Sequence, residues 1–233
     1  MSKLIVSYDG TANDEDAVAL ARILSGAGAD VALAYVRHAQ EEDRDRDAVD
    51  EKDADQLLER GARSIGAPAA DRHVIVNAST PDGLRRLAES ENADVVVFGS
   101  DAHTAAGSVH PQTSAQRLLN GGPAAVAIAP AGLRSNSVEI NKIGVIAEGD
   151  DKAAAETADS LASALGAEVV DPGQPADLLV VGSAPDSKKG QVTLSAAAEY
   201  ALETAKAPVI AVANGTPVKF ASKLFAGKKR ATA

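Results

Sequence analysis

Two short segments of the chain occur twice, and this repeat limits the fold more than any other feature of the sequence. KLIVSYDG at 3–10 is similar to KIGVIAEG at 142–149, and ADVVVFGS at 93–100 is similar to ADLLVVGS at 176–183. Internal similarity of this kind indicates a duplicated structural unit. The offset between the copies falls from 139 to 83, so the second copy lacks 56 residues, which correspond to about positions 37–92.

The first copy alternates short apolar runs with amphipathic segments. The runs are continuous and rich in β-branched residues, as in strands buried on both faces of a parallel sheet, and lie at 4–7, 31–36, 73–76, 95–98 and 124–129. Between them, apolar residues recur at helical spacing over 14–25, 50–65 and 80–91. In the last segment, Thr80 suits the N-cap and Pro81 suits the first helical position. The sequence predicts a five-stranded α/β unit.

The second copy has the same pattern in shortened form. We expect strands at 142–147, 177–181 and 208–213 and helices at 151–165 and 195–205. Between them, EVV at 168–170 is joined to the next strand only by DPGQP at 171–175. Because neighbouring parallel strands need a crossover of about a dozen residues, EVV is predicted to be a short edge segment or to lie outside the sheet.

Composition excludes several classes of protein. Without cysteine the chain has no disulfide, thiolate metal site or cysteine nucleophile. It has no signal-like N-terminal segment and no apolar run of about 18 residues, so we expect a soluble, cytoplasmic protein. The net charge is −10, and residues 214–233 hold five basic and no acidic residues, which leaves −15 on the remainder. Such a body repels nucleic acid, and 3% aromatic residues offer few platforms for base stacking.

Most ionisable and nucleophilic residues are not spaced for metal binding or catalysis. The histidines at 38, 73, 103 and 110 are scattered, so no metal site is predicted. The serines at 100, 108 and 114 lack a GxSxG setting, so no catalytic residue is predicted. The acidic run at 41–55 is interpreted as a solvated loop and helix start, with a weak cation site as the alternative.

Asp9 and a long loop after the fourth strand are the candidates for binding. Asp9 follows the first strand at the edge where α/β folds bind ligands, although an Asp in such a turn also satisfies local backbone N–H groups. Fourteen residues separate Gly99 from the helix near Ser114, against two to six in most such connections. Thr113 and Gln116 fit a capping box, and a helix start of this kind also suits an anion.

The order of elements, Asp9, and the segment from VVVFGS to TSAQRLLNGGPAAVAIAP resemble the universal stress protein family. The resemblance covers nearly all of 1–130 and, in shortened form, 140–214. It implies an α/β fold of two doubly wound parallel sheets in tandem, the first five-stranded with order 3-2-1-4-5. Members that bind ATP carry a motif of Gly, two residues, Gly, nine residues, Gly, then Ser or Thr.

In the first copy only the ends of this motif are present. Gly99 and Thr113 match, whereas Ala102 and Gln112 replace the second and third glycines, and 99–116 contains no Lys or Arg. Glycines allow a close approach of backbone to phosphate, so ATP is predicted to bind weakly at best. By the resemblance, the contacts would come from Asp9, Val36, Gly99, Ser100, Thr113 and Ser114.

In the second copy the motif is more degraded. Gly182 is kept, but Pro185, Ser195 and Ala196 occupy the other three positions. Proline has no N–H to donate, so this second site is predicted to be lost.

The predicted organisation is a first domain at 1–132, a linker at 133–141, a truncated second domain at 142–214 and a basic tail at 215–233. The predicted function is a non-catalytic stress-response module with a weak, degenerate adenine-nucleotide site. A nucleotide-free interaction scaffold is the alternative, and a nucleotide hydrolase is the third.

Two further expectations concern assembly and the tail. Family members often pair through their last strand, so the strands at 124–130 and 208–214 are predicted to lie adjacent in an intramolecular pseudo-dimer; further self-association is left open. The tail is predicted to be mostly a disordered, solubilising end. Alternatively, Phe220 and Leu224 share a face of a short helix with a docking or membrane-surface role.

Overall fold

The structure, a computed structural model, describes residues 2–38, 44–136, 138–171 and 173–221. Its elements are β1 (Lys3–Ser7), α1 (Ala12–Gly26), β2 (Asp30–Arg37), α2 (Arg44–Ile65), β3 (Asp71–Val76), α3 (Thr80–Ser90), β4 (Val95–Gly99), α4 (Thr113–Leu119), β5 (Asn120–Gly122), β6 (Ala125–Ala129), a 3₁₀ turn (Leu133–Ser135), β7 (Lys142–Ile146), α5 (Ala153–Leu165), β8 (Glu168–Val170), β9 (Leu178–Gly182), β10 (Val192–Thr193), α6 (Ala196–Thr204) and β11 (Val209–Val212). None of the helices in these ranges has the length and hydropathy of a membrane-spanning segment.

Nine strands form one sheet in the order β3-β2-β1-β4-β6-β11-β9-β7-β8. The first five pair in parallel in the order that the resemblance implies, which confirms the α/β doubly wound fold. β11 then pairs with β6 in antiparallel fashion, with Val209 opposite Ile128 and Ala211 opposite Val126. The two closing strands are therefore adjacent, as predicted, and join the first half (residues 2–132) to the second half (residues 142–221) in a continuous sheet.

The sheet is buried on both faces because its strands are apolar at successive positions. Along β1, Leu4 and Val6 pack into one core cluster and Ile5 packs into the other, as the two-residue period of a strand requires. All five residues of β4 and of β6 are buried. Helices α1 and α5 contribute to the first cluster, and α3, α4 and α6 to the second.

The short EVV segment is an edge strand, and the structure explains how five residues can follow it. β8 pairs in parallel with β7, with Val170 opposite Gly144, while β9 lies on the other side of β7. The connection therefore crosses β7. A side chain at Gly144 would place its Cβ 3.2 Å from the Cβ of Ala176 and 2.8 Å from a methyl group of Leu179. Glycine at this position lets the crossing segment lie directly against the strand, so no helix is needed.

The start of α3 differs from the prediction by one residue. Ser79, not Thr80, is the N-cap, and its hydroxyl accepts a hydrogen bond from the Asp82 N–H at 3.4 Å. Thr80 is instead the first helical residue, so Pro81 follows it inside the first turn, where no intrahelical N–H bond is lost.

The first part of the tail is ordered, which makes the prediction of a disordered end wrong for this part. Residues 216–221, called the strap below, run without helical structure along α5. The Val218 N–H donates to Thr157 Oγ1 at 2.9 Å, and the Phe220 N–H donates to Ser160 Oγ at 2.7 Å. The side chains of Val218 and Phe220 are buried in the core. The alternative prediction, a short helix with Phe220 and Leu224 on one face, is wrong at Phe220, which is not helical. Leu224 lies outside the described residues.

The strap reaches the first half as well. The Ser2 hydroxyl donates to the carbonyl oxygen of Lys219. At Gly28, in the turn between α1 and β2, a Cβ would lie 1.8 Å from the carbonyl oxygen of Ala221, so only glycine permits this approach. The strap thus contacts both halves of the sheet.

Candidate functional site

Three of the predicted site residues come level at one edge of the sheet. β1 pairs with β2 through Ser7 opposite Ala34, and with β4 through Val6 opposite Val97. When both registers are continued, Asp9 lies level with Val36 on one side and with Ser100 on the other. This is the carboxyl edge at which the strand order reverses, where doubly wound sheets bind ligands.

Asp9 is bound to the start of α1. Its carboxylate accepts a hydrogen bond from the Thr11 N–H at 3.1 Å, and its own N–H donates to Asp14 Oδ2 at 2.6 Å. Asp14 Oδ2 also accepts the Thr11 N–H at 3.4 Å. Asp9 is exposed and Asp14 is 4% exposed. Asp9 therefore satisfies a backbone N–H group of its own turn, which is one of the two roles that the sequence predicted for it; the other is ligand binding.

Asp14 is a member of this site that sequence reasoning missed. Thr11 followed three residues later by Asp14 has the spacing of a capping box, and this signal was available in TAND. Burial, the hydrogen bond between the two carboxyl side chains and the charge of Asp9 together raise the pKa of Asp14 to about 8. The same hydrogen bond lowers the pKa of Asp9. At neutral pH the pair thus carries one negative charge, mainly on Asp9.

Replacement of Asp14 by asparagine is expected to change the pH dependence of stability. In the unfolded chain Asp14 loses its proton near pH 4, whereas in the folded protein it keeps the proton to about pH 8. The unfolded state is therefore favoured as the pH rises between these values. Asp14→Asn keeps an oxygen for the backbone N–H groups but cannot ionise. Between pH 5 and pH 8 the free energy of unfolding, measured with urea, should fall by about 4 kcal/mol in the wild type and not in the variant; parallel curves would contradict the raised pKa.

Tyr8, beside Asp9, is also held by α1. Its hydroxyl donates to Glu15 Oε1 at 2.6 Å. Burial, together with the hydrogen bond to Glu15 and its charge, raises the pKa of Tyr8 well above its ordinary value. The phenol therefore stays protonated and serves to fix the first turn of α1.

Gly99 is covered by the backbone of α1. A Cβ at Gly99 would lie 1.9 Å from the carbonyl oxygen of Asn13. The amide Nε2 of Gln112 also donates to the Gly99 carbonyl oxygen at 3.4 Å. This motif glycine is thus explained by protein packing alone.

The hydroxyl of Ser100 is used to fold the long loop back on itself. It donates to the Ala129 carbonyl oxygen at 2.7 Å and accepts the His110 N–H at 3.2 Å. Ser183 repeats this arrangement in the second half: it donates to the Val212 carbonyl oxygen at 2.7 Å and accepts the Thr193 N–H at 3.3 Å. Because the same two hydrogen bonds occur in both halves, these serines have a structural role in each.

The far side of the loop contacts the second half. Val109 is 2% exposed, and its N–H donates to the Ala205 carbonyl oxygen at 3.3 Å. Lys206 Nζ donates to Ser108 Oγ at 2.7 Å. The length of the loop therefore has a structural consequence, because the loop reaches across to α6 and the residues that follow it.

The positions of the missing motif glycines have ordinary backbone conformations. Ala102 is exposed in a turn closed by the Thr104 N–H and the Asp101 carbonyl oxygen at 3.0 Å. Among the described residues other than glycine, Asn92 alone has a positive φ, so Ala102 is not strained. Gln112 is the extended N-cap residue of α4, with φ −66°. Neither position needs glycine in this loop.

The predicted capping box at the start of α4 is wrong. Gln112 is the N-cap and Thr113 is the first helical residue, with an exposed side chain. Gln116 instead donates through Nε2 to the Pro111 carbonyl oxygen at 3.0 Å. Ser114 is half-buried in the same turn.

One described cavity lies near this edge, since Tyr35, Arg37 and His38 at the carboxyl end of β2 contribute to its lining. Of four cavities lined wholly by described residues, none includes Asp9, Gly99 or Thr113. Within the described ranges, no three His, Asp or Glu side chains are grouped so that they could hold a metal ion.

Two solved structures match this fold over most of the chain. A universal stress protein from Archaeoglobus fulgidus DSM 4304 matches with a TM-score of 0.68 and 15% identity, over 91% of this chain and 98% of that one. A functionally unknown protein from Pseudomonas aeruginosa PAO1 matches with a TM-score of 0.59 and 12% identity, over 92% and 93%. A universal stress protein in complex with cAMP matches with a TM-score of 0.43 and 23% identity, over 56% and 98%.

At the level of sequence, no curated protein matches the chain. The model of the universal stress protein family matches residues 1–130, which is more than half of its length. The architecture of the matched part is the one that the family resemblance implied. The chain therefore belongs to the universal stress protein family.

Proposed function

We propose that this universal stress protein is a non-catalytic stress-response module whose first half has a weak, degenerate adenine-nucleotide site. The proposed contacts are Asp9, Val36, Gly99, Ser100, Thr113 and Ser114. The observation that carries the proposal is the Gln112 side chain on the Gly99 carbonyl oxygen. A side chain lies there at the position where the family motif has glycine.

The edge of the sheet supports a site, but its polar groups are already engaged. Asp9 is exposed and level with Val36. The Ser100 hydroxyl, however, bonds to two backbone groups and so has little capacity left for a ligand. Weak binding follows because a nucleotide must compete with these internal bonds.

The proposed site also has few positive charges to offset the negative charge of a phosphate. The loop at 99–116 contains no Lys or Arg. Arg134 approaches the start of α1, but its guanidinium bonds to Asp16 Oδ2 at 2.8 Å, and Asp16 is 1% exposed. The ion pair with the buried carboxylate neutralises the Arg134 charge, so Arg134 adds little attraction for phosphate.

ATP titration calorimetry tests the proposal. The wild type is expected to purify without ATP and to bind it no tighter than about 0.1 mM. Ala102→Gly combined with Gln112→Gly is expected to raise the affinity, because it removes two side chains from positions where the family motif has glycine and so allows a closer approach of the backbone to phosphate. Mass spectrometry of the purified protein reads its nucleotide content.

A control for loop flexibility is Ala105→Gly, an exposed position outside the motif. It should leave the affinity unchanged. Micromolar binding by the wild type would show that Ala102 and Gln112 are tolerated. An equal gain in the control and the double variant would assign the effect to flexibility instead of the motif.

The proposed organisation is a domain at 1–132, a linker at 133–141 and a truncated domain at 142–214 that pairs with the first as an intramolecular pseudo-dimer. The antiparallel pairing of β6 with β11 supports this arrangement. The strap packs on the second half, so the proposed tail boundary at 215 marks the point where the chain leaves the sheet and not the point where order ends.

A nucleotide-free interaction scaffold is the second candidate. The packing of the loop against Ala205 and Lys206 favours it, since the same loop would otherwise be available for phosphate. The absence of any ATP binding in the calorimetry selects this candidate.

A hydrolase would need a base and metal-holding carboxylates beside the loop. Asp9 and Asp14 are paired, but Asp14 is buried and accepts backbone hydrogen bonds; phosphate release from ATP would overturn the non-catalytic proposal.

A further inference from the structure

A cavity of about 390 Å³ lies where the two halves meet. Five residues of the first half and five of the second line it, and each of the second set stands 83 positions after one of the first. The same offset relates the repeated segments at 93–100 and 176–183. Equivalent surfaces of the two copies therefore build the cavity jointly, and its volume is within the range of small-molecule sites.

The floor of the cavity is apolar in both halves. Leu119 and Leu202 are an equivalent pair and are 5% and 3% exposed. Pro111 and Leu194, another equivalent pair, extend the apolar surface. This lining suits a short hydrocarbon segment, because such a segment would be removed from water on binding.

The polar lining differs between the halves. The three pairs are His110 with Thr193, Gln116 with Glu199, and Asn120 with Glu203. The carboxylates thus belong to α6 alone, and amides stand at their positions in the first half. Gln116 donates through Nε2 to the Pro111 carbonyl oxygen, which leaves its amide oxygen as an acceptor.

Glu199 and Glu203 are exposed and have no counter-ion among the described residues. They are four residues apart on α6, and neither carboxylate has an ion pair or hydrogen bond with the rest of the described chain. Like charges at this spacing destabilise a helix. A cation in the cavity would offset this repulsion, whereas an anion would add to it.

We propose that this cavity binds a short aliphatic diamine, for which 1,4-diaminobutane is the probe. One ammonium group lies against Glu199 and Glu203. The methylene groups lie on Leu119 and Leu202, and the second ammonium group donates to the amide oxygen of Gln116 on the opposite wall. The site is separate from the proposed nucleotide site and does not depend on it.

Titration calorimetry of the full chain with 1,4-diaminobutane at low ionic strength tests the proposal. Saturable one-site binding is expected, and Glu199→Gln combined with Glu203→Gln should weaken it at least about tenfold. The matched control is Glu139→Gln with Glu168→Gln, which removes the same charge from two exposed positions elsewhere and should leave the affinity unchanged. 1,4-Butanediol, which is neutral and of the same length, should not bind.

A gain of affinity tests the position of the second ammonium group. Gln116→Glu with Asn120→Glu gives both walls the same pair of carboxylates and should tighten diamine binding several-fold, because each ammonium group then meets a charge. No saturable binding up to about 10 mM, an equal loss in the matched control, or no loss in the Glu199 and Glu203 variant would each overturn the proposal. No gain in the Gln116 and Asn120 variant would overturn binding across both walls. Far-UV circular dichroism confirms that each variant is folded.

Discussion

Replacement of Gly99 by alanine is expected to destabilise the protein by about 3 kcal/mol. The new Cβ would lie 1.9 Å from the carbonyl oxygen of Asn13 and 2.6 Å from its carbonyl carbon, and these are backbone atoms that cannot rotate away. The first turn of α1 would have to move. Since that turn holds Asp14 against Asp9, the movement would also disturb the buried carboxyl pair.

The duplication provides a matched control for this prediction. Gly182 stands at the equivalent position of the second half, but a Cβ there would meet Ala147 and Ala154 at 3.5 Å, an ordinary contact. Gly182→Ala is therefore expected to cost less than about 1 kcal/mol. Urea unfolding monitored by circular dichroism measures both variants. Equal stability of the two would show that the approach of α1 to Gly99 does not restrict this position.

This pair of glycines changes the meaning of the family motif in this chain. Sequence comparison treats Gly99 as a remnant of phosphate binding, because the motif is defined by its ligand. The structure provides a packing reason for the same residue, and the Gln112 side chain donates to its carbonyl oxygen. A retained motif glycine is therefore weak evidence for nucleotide binding unless its neighbours leave the backbone accessible.

The fold was predictable from the sequence where local pattern and repeat agreed. The buried strands have continuous apolar runs, and the copy at offset 83 fixed the equivalence of β4 with β9 and of their loops. The path after β8 was not predictable, because it depends on the space that Gly144 leaves for Ala176. A contact between residues 32 positions apart has no periodic signal.

The candidate site was predictable in position but not in its internal bonds. The register that brings Asp9, Val36 and Ser100 to one edge follows from the strand order. The hydrogen bonds that these groups make within the protein do not follow from the strand order, since they depend on tertiary contacts such as that of the Ser100 hydroxyl with Ala129. Asp14 was overlooked although its spacing from Thr11 carries a capping signal.

The strap was missed for a related reason. Its basic and small residues have the composition of a flexible end, and alternate burial over only six residues is too short to distinguish from chance. Val218 and Phe220 nevertheless face the core, while Lys219 between them is exposed. What orders the segment is the row of hydroxyl groups on α5, which accept its N–H groups and so compensate for the absence of a neighbouring strand.

Phe220→Ala is accordingly expected to destabilise the protein by about 3 kcal/mol, a large effect for a residue near the end of the chain. Phe220 is 7% exposed and belongs to the core cluster shared by both halves, and its backbone bonds twice to Ser160, at 2.7 Å and 3.1 Å. Loss of the ring leaves a cavity beside α5 and weakens the contact of the strap with Ser2. Thermal and urea unfolding of the full chain measure the change.

Lys219→Ala is the control, because it changes the adjacent residue without touching the core. Lys219 Nζ lies 2.9 Å from Glu156 Oε2, but both side chains are about half or more exposed, at 64% and 48%. Solvent screens such a pair, so its loss should cost less than about 1 kcal/mol. If Phe220→Ala were as mild as Lys219→Ala, the strap would contribute nothing to the stability of the joined sheet. A large loss only for Phe220→Ala would show that the two halves are held together by this segment as well as by the pairing of β6 with β11.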